Sequence, residues 1–250
     1  MPGSSRILIL GGTGEARSLA GALARRPRTT VITSLAGRTV APRLPEGELR
    51  VGGFGGGAGL AAYIAQEKID AVIDATHPYA AAISRHAVEA AKTAGRPLLR
   101  LERPAWTPQL GDHWIEVDNF PAAAEAAPRL GSRVFLTIGT KEIAAFAGME
   151  GLWFLVRLVE RPDRPLPLLD HEILLGRGPF AEAEEFELMR RHRIDLVIAK
   201  NSGGEATYAK IAAARRLGIP VMLLRRPSLP PAGTATSIEQ AIAWVESRLA

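Results

Sequence analysis

Short apolar runs, each bounded by glycine, proline or polar residues, recur along the chain and alternate with stretches of helical periodicity. In the first half the runs predict strands at 6–10, 30–34, 49–51, 71–75 and 97–101. The stretches between them predict helices at 14–26, 58–67 and 79–94. Unbroken apolar runs suit strands buried on both faces, and their alternation with helices implies right-handed βαβ units and a parallel sheet. Segment 102–132 interrupts this rhythm with Pro104, Pro108, Pro121 and Pro128, and reads as a crossover or linker. The rhythm resumes with strands at 134–138, 153–158, 172–175, 195–199 and 220–224 and helices near 141–147, 180–192, 205–217 and 237–248. The pattern therefore predicts an α/β chain of two parallel-sheet domains, 1–103 and 133–250, joined by 104–132. A ligand cleft between two such halves is the default expectation.

Composition narrows this picture. The 250 residues are 47% hydrophobic but only 6% aromatic, so aliphatic side chains must fill the cores. Cysteine is absent, which removes disulfides and thiolate metal sites and suits a reducing cytoplasm. Residues 1–6 are too short and polar for a signal peptide, and no run approaches the ~20 apolar residues of a membrane span. The net charge of +5 predicts an anionic partner. Basic residues are dispersed in short pairs, with no aromatic-interleaved stripe, so a polyanionic small molecule is favoured over nucleic acid. The five histidines show no ligand spacing, so no metal site is expected.

The sharpest motif is the run Ile7 to Leu10 followed by Gly11-Gly12-Thr13-Gly14. A buried strand, a glycine turn and a helix start make an anion site suited to a nucleotide pyrophosphate. Thr13 and Arg17 offer phosphate contacts, and Glu15 is grouped with the cofactor-binding set. The alternative is a tight turn with no ligand. Folds that bind NAD place an acid after the second strand, but here the strand runs into Ser34 and later Arg38 with no acid between. Ser34 and Arg38 would instead hold a 2′-phosphate, which favours NADP over NAD; the alternative is a solvated loop arginine.

Strand 71–75 leads into Thr76, His77 and Tyr79. Thr76 is assigned to the cofactor, and His77 and Tyr79 to the substrate or to proton donation; the alternative is a helix cap and packing. In the second half, Lys141 opens one strand-end turn, and Lys200, Asn201, Ser202 and Gly203 form another, with Lys210 following. These would bind carboxylates or phosphates, the alternative being a capped turn with surface lysines. Arg100, Glu102, Arg103 and Trp106 add a polar cluster at the crossover. The glycine-rich stretch Gly52–Gly59 reads as a flexible loop with no assigned motif.

Five motifs occur in order: Ile9 to Arg17, Asp74 to Ala80, Arg100 to Trp106, Thr137 to Glu142 and Lys200 to Gly204. Together they resemble the precorrin-6A reductase family of corrin ring biosynthesis, over nearly the whole chain. The resemblance implies two Rossmann-like domains with a cleft between them and NADPH-dependent reduction of one macrocycle double bond. It implies a polycarboxylate tetrapyrrole substrate, which suits a basic protein. Gly11, Gly12, Thr13, Gly14, Glu15, Arg17, Ser34, Arg38 and Thr76 would then hold NADPH. His77, Tyr79, Lys141, Lys200, Asn201, Ser202 and Gly203 would hold the macrocycle, with His77, Tyr79 and Lys200 the catalytic candidates. The expected setting is cytoplasmic, with neither membrane nor nucleic acid as partner and with hand-over to neighbouring pathway enzymes. A cobalt-containing macrocycle, a non-catalytic NADP-binding sensor and a sugar-nucleotide enzyme are the alternatives.

Overall fold

The computed structural model describes residues 4–37 and 44–249. In chain order the first elements are β1 (Ser5–Leu10), α1 (Gly14–Ala24), β2 (Thr29–Leu35), β3 (Glu48–Val51), α2 (Gly57–Gln66), β4 (Ala71–Asp74), α3 (Ala81–Thr93) and β5 (Leu98–Leu101). Next come β6 (Trp114–Val117), α4 (Phe120–Ala126), β7 (Arg133–Thr137), β8 (Trp153–Leu158), β9 (His171–Leu175), α5 (Glu182–Arg191), β10 (Leu196–Lys200), α6 (Ala209–Leu217) and β11 (Val221–Leu224). The chain closes with β12 (Gly233–Ala235) and α7 (Ile238–Leu249). Two units result: Met1–Pro104 with Pro227–Ala250, and Ala105–Arg226.

The first unit holds a six-stranded sheet in the order β12-β5-β4-β1-β2-β3, parallel throughout. Counted along the unit, this is the 3-2-1-4-5-6 order of doubly wound sheets, which reverses between β1 and β4. Apolar runs make this possible, because both faces of each central strand are covered. Ile7 and Ile9 of β1 pack with Leu19 and Leu23 of α1 and with Ala241 and Val245 of α7. Leu8 and Leu10, on the opposite face, pack with Leu60 and Ile64 of α2 and with Ala87 and Ala90 of α3.

The second unit has its own six-stranded parallel sheet, ordered β6-β11-β10-β7-β8-β9. One face buries Phe135, Leu155, Val197 and Val221 against Met189 of α5 and Ile211 of α6. On the other, Phe154 meets Phe146 edge to face at 5.8 Å.

The expected domain division differs from this in two places. Segment 104–132, expected as a linker, lies from Ala105 onward in the second unit and supplies its β6 and α4. Its prolines did not exclude order: Pro121 sits in the first turn of α4, where a missing N–H breaks no helical bond. Residues from Pro227 onward, expected in the second domain, return to the first. There β12 pairs with β5, and Ala235, Ala241 and Val245 are buried in the core. Two helices also differ. The one expected near 141–147 is a short 3₁₀ segment, Glu142–Phe146, and α6 begins only at Ala209 because the preceding loop is held by side chains. Among the described residues no helix is long and apolar enough to cross a membrane.

Candidate functional site

Ligands of doubly wound sheets lie beyond the C-terminal strand ends, where the strand order reverses. In the first unit that point falls between the β1–α1 and β4–α3 turns. Gly11 is required by packing, since a Cβ there would lie 2.9 Å from Thr33 Cγ2. Gly12 is required by its backbone, with φ at +117°. At Gly12 and Gly14 an added Cβ would meet nothing within 4 Å, so the turn leaves open space at the start of α1. An anion is the partner such a turn suits, through free N–H groups and the helix dipole.

Thr13 caps α1: its Oγ1 accepts from Ala16 N–H at 3.1 Å and donates to the Ala75 carbonyl at 2.9 Å. It thereby ties the glycine turn to the end of β4 and positions backbone groups there. Glu15 accepts from Arg103 Nη1 with both oxygens at 2.8 Å. Burial pushes its carboxyl pKa up, but the Arg103 hydrogen bond and its own backbone N–H outweigh this and hold it below the usual value. The structure thus makes Glu15 a partner of Arg103, and Thr13, Thr76, Glu102 and Arg103 line a small depression with it. Arg17, one turn further along α1, is half-buried and has no side-chain partner among the described residues.

At the β4 end Asp74 is 1% exposed and accepts from Thr76 Oγ1 at 2.7 Å. Its other oxygen lies 3.7 Å from Arg100 Nε, and both atoms are buried without a hydrogen bond. Thr76 is therefore a partner of Asp74, with Ser84 Oγ 3.4 Å away. Tyr79 N–H donates to His77 Nδ1 at 3.2 Å, which leaves Nε2 to carry the proton of the neutral ring. The two rings lie 5.7 Å apart.

At the β2 end Ser34 is buried. Arg38 lies outside the described residues. Beside Ser34 stands a residue the sequence reading missed. Arg50, opposite Ser34 in the β2–β3 register, donates Nη1–H to Ser34 Oγ at 3.3 Å. The available signal was a basic residue at the penultimate position of a strand, two residues ahead of a glycine-rich loop.

The corresponding edge of the second unit is built differently. Lys200 Nζ, at the end of β10, donates to Glu142 Oε1 at 2.9 Å and lies 5.6 Å from the Phe120 ring. Asn201 accepts from Trp106 N–H at 2.8 Å and donates to the Trp106 carbonyl at 3.1 Å, like an added strand. Trp106 Nε1–H in turn donates to the Gly204 carbonyl at 2.8 Å. Arg226 donates to the carbonyls of Asn201 and Ser202 at 2.9 and 3.1 Å. Ser202 Oγ donates to the Lys200 carbonyl at 3.3 Å, and Gly203 supplies a φ of +68°. Lys141 is exposed at the turn after β7 and has no side-chain partner among the described residues.

Behind this loop lies a buried charged group. Arg157 of β8 donates to both oxygens of Glu185 at 2.9 and 2.6 Å. Lys210 of α6, buried, donates to the Thr207 carbonyl at 2.6 Å. Burial lowers its ammonium pKa to about 7, Glu185 opposing and Arg157 reinforcing the shift.

The chain was compared with known proteins. Residues 6–246 match the family described as Precorrin-6x reductase CbiJ/CobK. The chain is 54% identical over 243 residues to a precorrin-6A reductase of Rhodococcus erythropolis, covering 96% of this chain and 97% of that protein. It is 32% identical over 232 residues to a cobalt-precorrin-6A reductase of Salmonella typhimurium, covering 89% of this chain and 88% of that one. A solved structure, CobK precorrin-6A reductase, superposes with a TM-score of 0.93 at 43% identity, covering 98% of this chain and 97% of its own. With its two six-stranded parallel sheets and this match along nearly its whole length, the chain belongs to the precorrin-6x reductase family.

Proposed function

We propose that this family member, a reductase of cobalamin biosynthesis, uses NADPH to reduce one double bond of precorrin-6A to the dihydro product, precorrin-6B. The observation that carries the cofactor half is the open β1–α1 turn at the point where the strand order reverses. The space left at Gly12 and Gly14 and the α1 N-terminus support a pyrophosphate there, with Arg17 of α1 its proposed side-chain contact. No acid stands in Thr29–Leu35 or at Ala36 and Gly37, so a 2′-phosphate meets no carboxylate there. When bound, NADPH supplies the hydride.

The side chains bind and orient. His77 and Tyr79 stand at the β4 end, next to the glycine turn that Thr13 ties to Ala75. They are the proposed contacts to the macrocycle in the first unit and, with Lys200, the candidates for proton donation. Lys141 and the edge of Lys200, Asn201, Ser202 and Gly203 are the proposed carboxylate contacts in the second. Higher identity to a precorrin-6A than to a cobalt-precorrin-6A reductase, 54% against 32%, supports the metal-free substrate.

The test is an anaerobic mixture of protein, NADPH and precorrin-6A, followed by loss of the NADPH absorbance band and by product mass. The expected result is one NADPH consumed per macrocycle reduced. Turnover of cobalt-precorrin-6A alone would move the substrate to the cobalt form. NADPH bound but never consumed with either macrocycle would leave a sensor, and the reductase proposal would fall.

A further inference from the structure

The β2–β3 edge of the first unit holds an arginine that the proposed reaction has not yet used. Arg50 Nη1–H donates to the Gly52 carbonyl at 2.6 Å and to Ser34 Oγ at 3.3 Å. Its Nη2–H donates to the Gly53 carbonyl at 2.8 Å. The guanidinium lies over the Phe54 ring at 3.8 Å, with the Tyr63 ring at 5.1 Å. Phe54 and Tyr63 themselves meet edge to face at 5.3 Å. The side chain is therefore locked in place before any ligand arrives, and little rotamer freedom remains to be lost on binding.

Among the described residues its charge is nevertheless not paired with an acid. The fixed partners of Arg50 are two carbonyls, a hydroxyl and two aromatic rings, none of them an anion. The acids of the neighbourhood, Glu48 and Glu67, pair instead with Arg6, at 3.7 and 3.1 Å. Of the five donors of the fork, Nε–H and one hydrogen on Nη2 have no partner among the described residues. Nε and Nη2 bound one edge of the planar group, the geometry that accepts two phosphate oxygens at once. Room exists beside it: at Gly52, Gly53, Gly55 and Gly56 an added Cβ would meet nothing within 4 Å.

We infer that Arg50, with Ser34, is the residue that selects NADPH over NADH by binding the 2′-phosphate. The glycine-rich loop after β3 serves this function by giving Arg50 its carbonyl anchors and by leaving the phosphate space unobstructed. The inference rests on the NADPH reading above and adds to it the residue that reads the phosphate. It also assigns a function to Gly52–Gly59, which no motif explained.

The test compares wild type with Arg50→Gln and Arg50→Lys, measuring kcat/KM for NADPH and for NADH with precorrin-6A. Calorimetry with 2′,5′-ADP and 5′-AMP supplies a readout free of the macrocycle. Arg50→Gln is expected to lower the NADPH-to-NADH ratio by roughly 10- to 100-fold, with the NADH value falling far less, as loss of a charge-assisted pair implies. Arg50→Lys keeps the charge without the fork and should recover part of the ratio. The preference of wild type for 2′,5′-ADP over 5′-AMP should shrink in the same order. An unchanged ratio in Arg50→Gln, with NADPH still the preferred reductant, overturns the assignment of Arg50 alone. Equal losses for NADPH and NADH would show a loop-bracing role and overturn it too. If wild type binds neither 2′,5′-ADP nor NADPH, the cofactor reading and the inference fall together.

Discussion

The two units contain buried ion pairs of equal exposure, 9% for the arginine and 2% for the acid, yet the pairs are joined differently. In the second unit Arg157 grips both oxygens of Glu185 at 2.9 and 2.6 Å. In the first, Arg100 Nε and Asp74 stand 3.7 Å apart while each bonds elsewhere, Asp74 to Thr76 and Arg100 to the Pro230 carbonyl at 3.1 Å. The same contrast runs along the strand ends. The first unit presents a glycine turn with open space and two basic side chains, Arg17 and Arg50, that pair with no acid among the described residues. The second presents a loop whose polar residues hold one another: Lys200 to Glu142, Asn201 to Trp106, Arg226 to two carbonyls. A rigid, cross-tied edge keeps a fixed shape, whereas an open edge keeps unused binding capacity. The two edges thus differ in how their polar side chains are engaged, although both sheets share the same parallel plan.

The largest effect expected from this contrast concerns the buried pairs. Arg157→Met leaves Glu185 without its fork and should lower the unfolding free energy by about 3–5 kcal/mol. Arg100→Met removes a looser partner and should cost less, about 1–3 kcal/mol. Urea denaturation of both variants measures this, and equal losses would erase the distinction. Next in size is the comparison of strand-end polar groups. Asn201→Ala strands the Trp106 backbone groups and should cost about 2–3 kcal/mol, whereas Arg17→Ala should stay within about 0.5 kcal/mol and raise the NADPH KM instead. A destabilised Arg17→Ala protein would mean that the first edge is braced as well.

The last effect is a pH slope, spread over several pH units. An unfolded lysine keeps its proton to about 10.5, but folded Lys210 loses it near 7. Between those values the unfolded chain binds more protons, so stability rises with pH, by at most about 1.4 kcal/mol per unit. Below that window Lys210 is charged in both states, and the penalty of burying the ammonium is fully present. Lys210→Met should flatten the rise in denaturant midpoint across the window. Parallel curves for the two proteins would show that the ammonium is solvated.

Much of this architecture was legible because parallel strands buried on both faces announce themselves as apolar runs. β1, β4, β7 and β10 are such runs, and the glycine turn was legible because Gly12 has a φ that few other residues adopt. Edge strands carry a weaker signal. In β6 no residue is fully buried, and β12 is three residues with only Ala235 buried, so neither gave a run to read. Side-chain ties were not legible. Thr13 reads as a phosphate contact, with its cap to Ala16 unread. Other ties join residues from different strand ends. Lys200 and Glu142 lie 58 positions apart, and Asn201 and Trp106 lie 95 apart. Nothing local marks such a pairing, so the ties that Lys200 and Asn201 make went unread. Arg50 was overlooked for the converse reason. Its significance comes from the strand beside it and from the absence of a nearby acid, neither of which a motif records.

The return of the chain to its first sheet has a consequence during synthesis. By the time the ribosome has made residue 226, every strand of the second unit exists. The first unit at that moment still lacks β12 and α7, and with them Ala235, Ala241 and Val245 from its core. The part of the sheet that α7 covers therefore waits for the last stretch to emerge, although β1 to β5 were made first. The part of the molecule that leaves the ribosome earliest is the part that is finished last.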